Sequence, residues 1–169
     1  MAGRFPNYGS AGDAAMDQLK LVALDQDDLE IVATHLQDSH VKVGDIIWRP
    51  QEKRLVMGLD RFDWEGAVCE NGHFRRRRTA LRFDRVMACK CRNVQCQAKD
   101  VVLNLLTIEF VQTEAPGGSV VLIFSGGGEV RLDVECLEVE LADLGPVWDT
   151  TACPAHEDQA SPGLTAAAR

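Results

Sequence analysis

The chain has 169 residues, of which 46% are hydrophobic and 26% are charged, and its formal net charge is −8. This length and composition are typical of one globular domain with a full-sized core. The chain contains no apolar run near the roughly 18–20 residues that span a bilayer. Its acidic balance disfavours a general affinity for nucleic acid, so any such binding must be local.

The two ends of the chain differ in composition from its middle. Residues 1–16 are rich in Gly, Ala, Asn and Ser, and residues 150–169 contain two prolines and no periodic pattern. We therefore predict a disordered arm over residues 1–16, a single domain over residues 17–149 and a disordered tail. The start of the chain lacks the plan of a signal peptide, and six cysteines are unremarkable as free thiols, so we expect a cytoplasmic protein.

The domain is predicted to begin with a strand and a helix. The short apolar run over residues 19–24 suits a buried strand. Asp25 follows as the expected N-cap of an amphipathic helix over residues 27–38. The apolar side of that helix consists of Leu29, Val32, Ala33 and Leu36.

Residues 40–60 predict a hairpin. Strand character over residues 40–49 is interrupted at Gly44-Asp45, which indicates a bulge or a tight bend. Pro50 begins the turn into a partner strand over residues 54–60. We expect these two strands to pair with each other.

Residues 70–99 carry a net positive charge, although the chain as a whole is acidic. Nine of the 18 lysines and arginines lie within residues 70–99, against two acids. Four consecutive arginines, residues 75–78, lead into an apolar and β-prone segment that continues to Lys90. We predict a strand that leaves a turn at Asn71-Gly72, with one bulge near Asp84-Arg85 that keeps a single apolar face.

An antiparallel meander of three strands is predicted next. Its strands are expected over residues 101–111, 119–124 and 129–134, with turns at residues 115–118 and 126–128. The predicted buried face of its first strand consists of Val101, Leu103, Leu105 and Thr107.

The last element has two competing periodicities. Alternation predicts a strand to residue 133, after which helical spacing predicts a short amphipathic helix that ends at Gly145-Pro146. The apolar positions of this helix are Val134, Leu137, Leu141 and Leu144. Its polar side carries the acids that we expect as internal partners of the arginines, namely Glu135, Glu138, Glu140 and Asp143.

These elements predict an α+β domain with a mainly antiparallel sheet, one N-terminal helix and a short C-terminal helix. Two architectures satisfy this order of elements. One is a curved sheet backed by one or two helices. The other is a small, partly open barrel of pleckstrin-homology-like type, which is an analogy rather than a consequence of the pattern.

The arginine strand is the candidate binding site. Its side chains would contact phosphate or RNA, and the neighbouring rings of Phe62, Trp64 and Phe74 would stack on single-stranded bases. The alternative is structural: the strand pairs with the acidic C-terminal helix, or its charge protects a sheet edge from aggregation. We favour the structural interpretation, because the field of the whole chain repels polyanions. The predicted anion- or partner-binding residues are Arg75, Arg76, Arg77, Arg78, Arg82 and Trp64.

Three cysteines, Cys89, Cys91 and Cys96, lie within eight positions, and Cys69 with His73 lies one hairpin away. Together they would offer soft ligands to a metal ion. Their spacing lacks the paired knuckles of structural zinc sites, and the C-x-x-C redox motif is absent. We therefore predict no metal site and no cofactor.

An enzymatic site would lie near residues 62–65, where two carboxylates are bracketed by aromatic rings next to the arginines. Asp63 and Glu65 are two residues apart, so in a strand they point the same way and share one environment. A shared environment does not divide acid and base roles between two carboxylates. We predict no catalytic residue.

Three sequence segments carry a resemblance to a known family. They are LKLVALDQDDLEIVATHLQDSHVKVGDI, RFDWE followed by RRRRTALRFDRV, and GGGEVRLDVECLEVELADLGPVW. Over residues 19–148 the chain resembles a family of small alphaproteobacterial proteins classed as a domain of unknown function (domain of unknown function 2948). The resemblance implies a bacterial cytosolic protein and assigns no catalytic residue.

Three functions follow as hypotheses. The first is a non-enzymatic binding or adaptor module with a protein or anionic partner at the basic strand; nucleic acid is the less favoured partner. The second is an enzyme that acts on a small phosphorylated or carboxylated substrate. The third is a structural homodimer that pairs a basic face with an acidic face. A cleft that holds Arg76, Arg78 or Arg82 with a carboxylate and a histidine would favour the enzyme.

Overall fold

A computed structural model describes residues 18–65 and 74–154 of the chain. The described residues form ten β-strands and one α-helix, α1 (Gln26–Leu36). The strands are β1 (Lys20–Ala23), β2 (Ser39–Lys42), β3 (Ile46–Arg49), β4 (Arg54–Phe62), β5 (Phe74–Phe83), β6 (Val86–Arg92), β7 (Val102–Gln112), β8 (Gly118–Phe124), β9 (Glu129–Val134) and β10 (Val139–Thr150). Short 3₁₀ turns occupy Val43–Asp45, Pro50–Glu52 and Ser125–Gly127.

All ten strands belong to one sheet in which every pairing is antiparallel. The order is β1-β10-β5-β4-β2-β7-β8-β9-β6, and β3 pairs with β4 beside this path. The two ends of the path, β1 and β6, do not pair among the described residues, so the sheet is open. The prediction of a mainly antiparallel sheet with an N-terminal helix is confirmed.

Helix α1 begins where its capping residue predicts. The backbone N–H of Asp28 donates to the Asp25 carboxylate at 2.8 Å, which satisfies one of the free amides of the first turn. Leu29, Val32 and Leu36 are buried. The helix ends at Leu36, and the chain turns at Asp38, whose φ is 61°.

One hydrophobic core collects side chains from α1 and from every strand except β3. Ile46 and Trp48 of β3 pack against this core while half-buried. One face of each strand points inwards, so the apolar residues at alternate positions of the strands together form a single interior. Arg61 is one exception, since it occupies a core position of β4 with 1% of its surface exposed.

The predicted C-terminal helix is wrong. Residues 139–150 form the strand β10, which lies between β1 and β5. Val139 and Leu141 are buried at alternate positions, whereas Leu144, which helical spacing placed on the apolar side, is 54% exposed. Gly145, with a φ of 105°, lies within a register shift of β10 against β5 rather than at a helix end.

The predicted single strand through Asp84 and Arg85 is also wrong. β5 ends at Phe83, and Arg85 adopts a positive φ of 60°. β6 then leaves to pair with β9 at the other end of the sheet. The change of apolar parity at this point therefore marks a turn between two strands and not a bulge within one.

Most strand pairings predicted from turns are confirmed, and one predicted buried face is not. β3 and β4 form the expected hairpin, and β7, β8 and β9 form the expected meander. β2, which was predicted to belong to the first strand of that hairpin, pairs with β4 only at His40 and otherwise pairs with β7. In β7 a register shift between Leu105 and Thr107 changes the parity, so that Ile108 is buried in place of Thr107. Val101 is 46% exposed.

No helix within residues 18–65 and 74–154 is long and apolar enough to cross a bilayer. The predicted arm over residues 1–16, the tail beyond residue 154 and the turn at Asn71-Gly72 lie outside the described residues.

Candidate functional site

The arginine run lies on a central strand of the sheet. β5 pairs with β4 on one side and with β10 on the other. Because side chains alternate along a strand, Arg75 and Arg77 share one face with the buried Thr79, and Arg76, Arg78 and Arg82 share the opposite, outer face. β5 is therefore not the edge strand that one structural interpretation assumed.

A buried ion pair lies on the core side of this region. The Arg61 guanidinium donates from Nε and from Nη2 to the two carboxylate oxygens of Asp143, each at 2.8 Å. Asp143 also accepts from Thr79 Oγ1 at 2.7 Å and from the backbone N–H of Leu19 at 2.8 Å. Arg61 Nη1 reaches Glu65 at 3.0 Å. The two members of the central pair have side chains only 1% and 2% exposed.

The contacts around this pair keep both groups ionised. Burial acts to raise the pKa of Asp143, but hydrogen bonds from Arg61, the Leu19 amide and Thr79 outweigh it, so the pKa lies below its ordinary value. Burial acts in the opposite direction on Arg61, and hydrogen bonds to Asp143 and Glu65 outweigh it, which raises the pKa. A carboxylate saturated in this way is a structural anchor rather than a proton carrier.

Asp63 and Glu65 have separate partners. Asp63 is buried and accepts from Arg77 Nε at 3.1 Å and from Arg75 at 3.0 Å. Glu65, 40% exposed in its side chain, contacts His35 Nδ1 at 2.6 Å. The expectation that the two carboxylates share one environment is wrong, because β4 ends at Phe62 and the following residues no longer alternate as a strand.

On the outer face, Arg76 is fixed by backbone oxygens. Its Nη1 donates to the carbonyls of Asp38 and Asp60, each at 3.1 Å, and its guanidinium lies 5.9 Å from the ring centroid of Phe62. Burial lowers its pKa. The same Phe62 ring packs against Trp64 at 4.6 Å and against Phe74 at 5.8 Å between centroids, so the three rings that were predicted to stack on bases pack together.

Arg78 bridges two aspartates across the outer face. It donates to Asp45 at 2.8 Å and to Asp60 at 3.0 Å, and the hydrogen bond to Asp45 is the largest cause of its raised pKa. Its guanidinium lies over Gly58, where an added Cβ would be 2.6 Å from Nη2. Glycine at this position therefore leaves room for the arginine to lie flat on β4.

Arg82 belongs to a second network at the far end of β5. It donates to Asp84 at 2.8 Å and to Glu140 at 3.1 Å. Arg54 of β4 contacts the other oxygen of Asp84 at 2.7 Å. Burial acts to raise the pKa of Asp84, and its hydrogen bonds to the two arginines outweigh that effect and lower it. The charges at this end of the strand are thus balanced within the chain.

The predicted acidic partners are only partly those observed. Glu140 is the cross-strand neighbour of Arg82, but Asp143 pairs with Arg61, which lies outside the run. Glu135 contacts Lys53, and Glu138 contacts Arg85, which follows β5 in the basic segment. Most carboxylates that contact the arginines of β5 precede or directly follow this strand in the chain, namely Asp45, Asp60, Asp63 and Asp84.

A groove lies between α1 and β7 on another part of the surface. β2 pairs with β7 only from Val102 to Leu105, whereas β8 pairs with β7 through to Gln112. Among the residues that the structure describes, residues 106–112 of β7 consequently have a strand neighbour on one side only. The groove beside this segment has a volume of about 570 Å³. Its lining residues are Gln26, Leu29, Glu30, Ala33, Thr34 and Gln37 of α1 and residues 106–111 of β7.

One protein-family model matches residues 19–156 of the chain, a span that includes all ten strands and α1. The chain belongs to the DUF2948 family of proteins of unknown function. The DUF2948 match thus contains both the arginine strand and the groove beside α1. No curated protein and no solved structure matches the chain. The pleckstrin-homology-like barrel stays a prediction.

Three of the six cysteines come together in a small pocket of the DUF2948 domain between β3 and β6. Cys89, Cys91 and Cys96 line its volume of about 230 Å³ together with apolar side chains that include Trp48. Burial, followed by contacts with the other two thiols, raises the pKa of Cys91 to about 12. Within the described ranges no group of three or more His, Cys, Asp or Glu side chains is arranged to hold a metal ion. Cys69 and His73 lie outside those ranges.

A cleft on the DUF2948 domain contains Arg82 with three carboxylates, Glu52, Asp84 and Glu138. Its other lining residues are Lys53, Arg54 and Arg85, so no histidine lines it. His40 lies elsewhere, on β2, opposite Asp60 of β4. Burial, and then the charge of Arg76, lowers the pKa of His40. The combination that would favour an enzyme is therefore not assembled in this cleft.

The groove was missed by reasoning from the sequence. The useful signal is a difference in strand length: the pattern predicts a long strand over residues 101–111 and an interrupted segment over residues 40–49. A short strand cannot cover the whole edge of a long one. Pairing of unequal strands leaves backbone groups of the longer strand without a neighbour.

Proposed function

We propose that this chain is a non-enzymatic binding module of the bacterial cytosol that recognises a protein partner in the groove between α1 and β7. The observation that carries the proposal is the one-sided pairing of residues 106–112 next to a groove of about 570 Å³. An exposed strand edge is a template for pairing with another chain. Free thiols at Cys89, Cys91, Cys96, Cys136 and Cys153 support the cytosolic location.

The same proposal gives the arginine strand a structural role. The predicted partner site at Arg75, Arg76, Arg77, Arg78, Arg82 and Trp64 stays a prediction. What supports the structural role is that each of these arginines contacts acceptors in its own chain. An incoming anion would have to displace these carboxylates and carbonyls, whereas the groove offers backbone groups of a strand edge.

A homodimer through this edge is disfavoured by charge. Two copies paired along β7 would bring Glu30 and Glu109 of one groove towards the same acids of the other. Like charges that face each other across an interface oppose association. A different protein with complementary charge is therefore the better occupant.

The proposal can be tested by selecting binders from a library of random peptides displayed on phage. Thr34 is exposed on α1 and lines the groove, so Thr34→Trp is designed to fill it. Ile31 is 54% exposed on the same helix and is not among the lining residues, so Ile31→Trp is the matched control. We expect enriched peptides that bind the unaltered chain and the Ile31→Trp variant but not the Thr34→Trp variant. Enrichment of no peptide, or equal binding by the Thr34→Trp variant, would contradict the proposal.

A further inference from the structure

We infer that the occupant of the groove is an extended, basic segment of another protein that joins the sheet as a strand beside β7. This inference rests on the proposed function and adds the conformation and the charge of the partner. It depends on three features of the described residues: the direction of free backbone groups on β7, the apolar floor of the groove and the sign of its charges.

The hydrogen-bond pattern of β7 indicates which amides face the groove. Thr113 N–H donates to the Gly117 carbonyl at 3.1 Å at the end of the β7–β8 ladder. Bonded pairs alternate along antiparallel strands, so Val111 and Glu109 direct their backbone groups to β8. The backbone groups of Ile108 and Phe110 then point to the side without a strand. A row of donors and acceptors at this spacing matches the backbone of an extended chain.

The floor and the walls of the groove favour a segment with alternating side chains. Ile108 is 4% exposed and Phe110 is half-buried on the strand side, and Leu29 and Ala33 face them from α1. Alternate residues of an added strand would point towards these apolar side chains, and the others would point away. The free edge spans residues 106–112, which fits an added strand of about seven residues or roughly 23 Å.

The charges that line the groove are of one sign. Glu30 and Glu109 are both acidic and both exposed, and no Lys, Arg or His is among the lining residues. Neither glutamate has an ion-pair partner among the described residues. Lysine or arginine in the added segment would supply the missing partners. Complementary charge at a groove rim raises the association rate and selects against acidic segments.

The experiment uses synthetic peptides copied from the groove-dependent phage clones. We expect these peptides to alternate apolar residues with an excess of Lys and Arg. Reversing both charges with Glu30→Lys and Glu109→Lys should weaken their binding at least about tenfold, because two attractions become repulsions. Glu114→Lys is the matched control, since Glu114 is exposed in the β7–β8 turn and outside the groove. It should change affinity less than about twofold.

Backbone pairing has its own readout in amide hydrogen exchange followed by NMR. A bound peptide should slow exchange at the amides of Ile108 and Phe110, while Val111 and Glu109 change little because β8 already protects them. Groove-dependent peptides that are acidic, or that leave exchange at Ile108 and Phe110 unchanged, would overturn the inference and leave the proposed function standing. Failure to select any groove-dependent peptide would instead overturn the proposed function.

Discussion

Arg61 and Asp143 form the most buried charged contact described in this chain. Their separation of 82 residues in sequence means that no local pattern identifies them as partners. Their side chains are only 1% and 2% exposed. Contacts with each other and with Thr79, Leu19 and Glu65 therefore replace their contacts with water. Such a pair is costly to break, because removing one partner leaves the other buried and charged.

Truncating Asp143 should therefore destabilise the fold strongly. We expect Asp143→Ala to lower the free energy of unfolding by about 3–5 kcal/mol, measured by urea denaturation. Arg85→Ala is the control, since Arg85 is 58% exposed and its ion pair with Glu138 spans 3.5 Å. That change should cost less than about 1 kcal/mol. Equal effects of the two substitutions would show that the buried pair has no special role.

Asp143 should also shape the dependence of stability on acid. Its pKa is lower in the folded chain than its ordinary value of 3.8. A carboxylate of this kind stabilises the fold above the unfolded pKa, and the contribution is lost as the pH falls through the lowered folded value. Asp143→Asn should remove this part of the acid destabilisation. The measurement is the urea midpoint of the unaltered chain and of the Asp143→Asn variant between neutral and acidic pH. An equal loss of stability in the two proteins as the pH falls would contradict the prediction.

Reasoning from the sequence identified the arginine run but not most of its partners. The predicted partners lay on a helix, and only Glu140 contacts an arginine of the predicted set. Asp63 was treated as an ordinary strand residue, although it is the buried acceptor for Arg75 and Arg77. Contacts of this kind depend on which strands become neighbours, and the local pattern of residues along the sequence does not reveal that order.

Among the helices and strands, the elements predicted correctly are those that capping residues, apolar spacing and turn residues determine locally. The Asp25 cap and the spacing of Leu29, Val32 and Leu36 predicted α1, and turns rich in Gly and Pro predicted the meander. The prediction for the C-terminal segment was wrong, because its apolar residues fit both the helical period and the alternating period of a strand. Pairing with two strands decided in favour of β10: its position between β1 and β5 satisfies backbone groups on both sides.

Two leucines of β10 distinguish the strand from the helix by experiment. Leu141 is fully buried, and Leu141→Ala should lower the free energy of unfolding by about 2–5 kcal/mol. Leu144 is 54% exposed, so Leu144→Ala should change it by less than about 0.5 kcal/mol. Urea denaturation of both variants tests this. A large loss at both positions would favour the amphipathic helix, in which the two side chains share an apolar face.

In the molecule as a whole, arginines of the basic segment over residues 70–99 contact carboxylates that lie on other strands, such as Asp60 and Glu140, and in turns, such as Asp45 and Asp84. This explains how a chain of net charge −8 keeps an arginine-rich strand in the centre of its sheet. The groove has a different origin, since it exists because β2 stops opposite Leu105 while β7 continues. Strand order and strand ends are properties of the complete fold, which is why the sequence predicted the arginines and not the groove.

The balance of charge predicts weak binding of polyanions. In a filter-binding titration with single-stranded RNA near 0.15 M salt, a Debye length of roughly 8 Å leaves only close contacts effective. We expect no saturable binding by the unaltered chain. Saturable binding that falls steeply with salt and is lost on replacing Arg75 and Arg82 with Ser would contradict the structural role of the arginine strand. These two side chains are 40% and 39% exposed.

The most direct test of strand addition at the groove is a crystal structure of the chain with a peptide selected for dependence on the groove. We predict an extended peptide hydrogen-bonded to the backbone of Ile108 and Phe110, with its basic side chains near Glu30 and Glu109. A peptide seated instead on the outer face of β5, in contact with Arg78 or Arg82 and without a strand partner on β7, would contradict it.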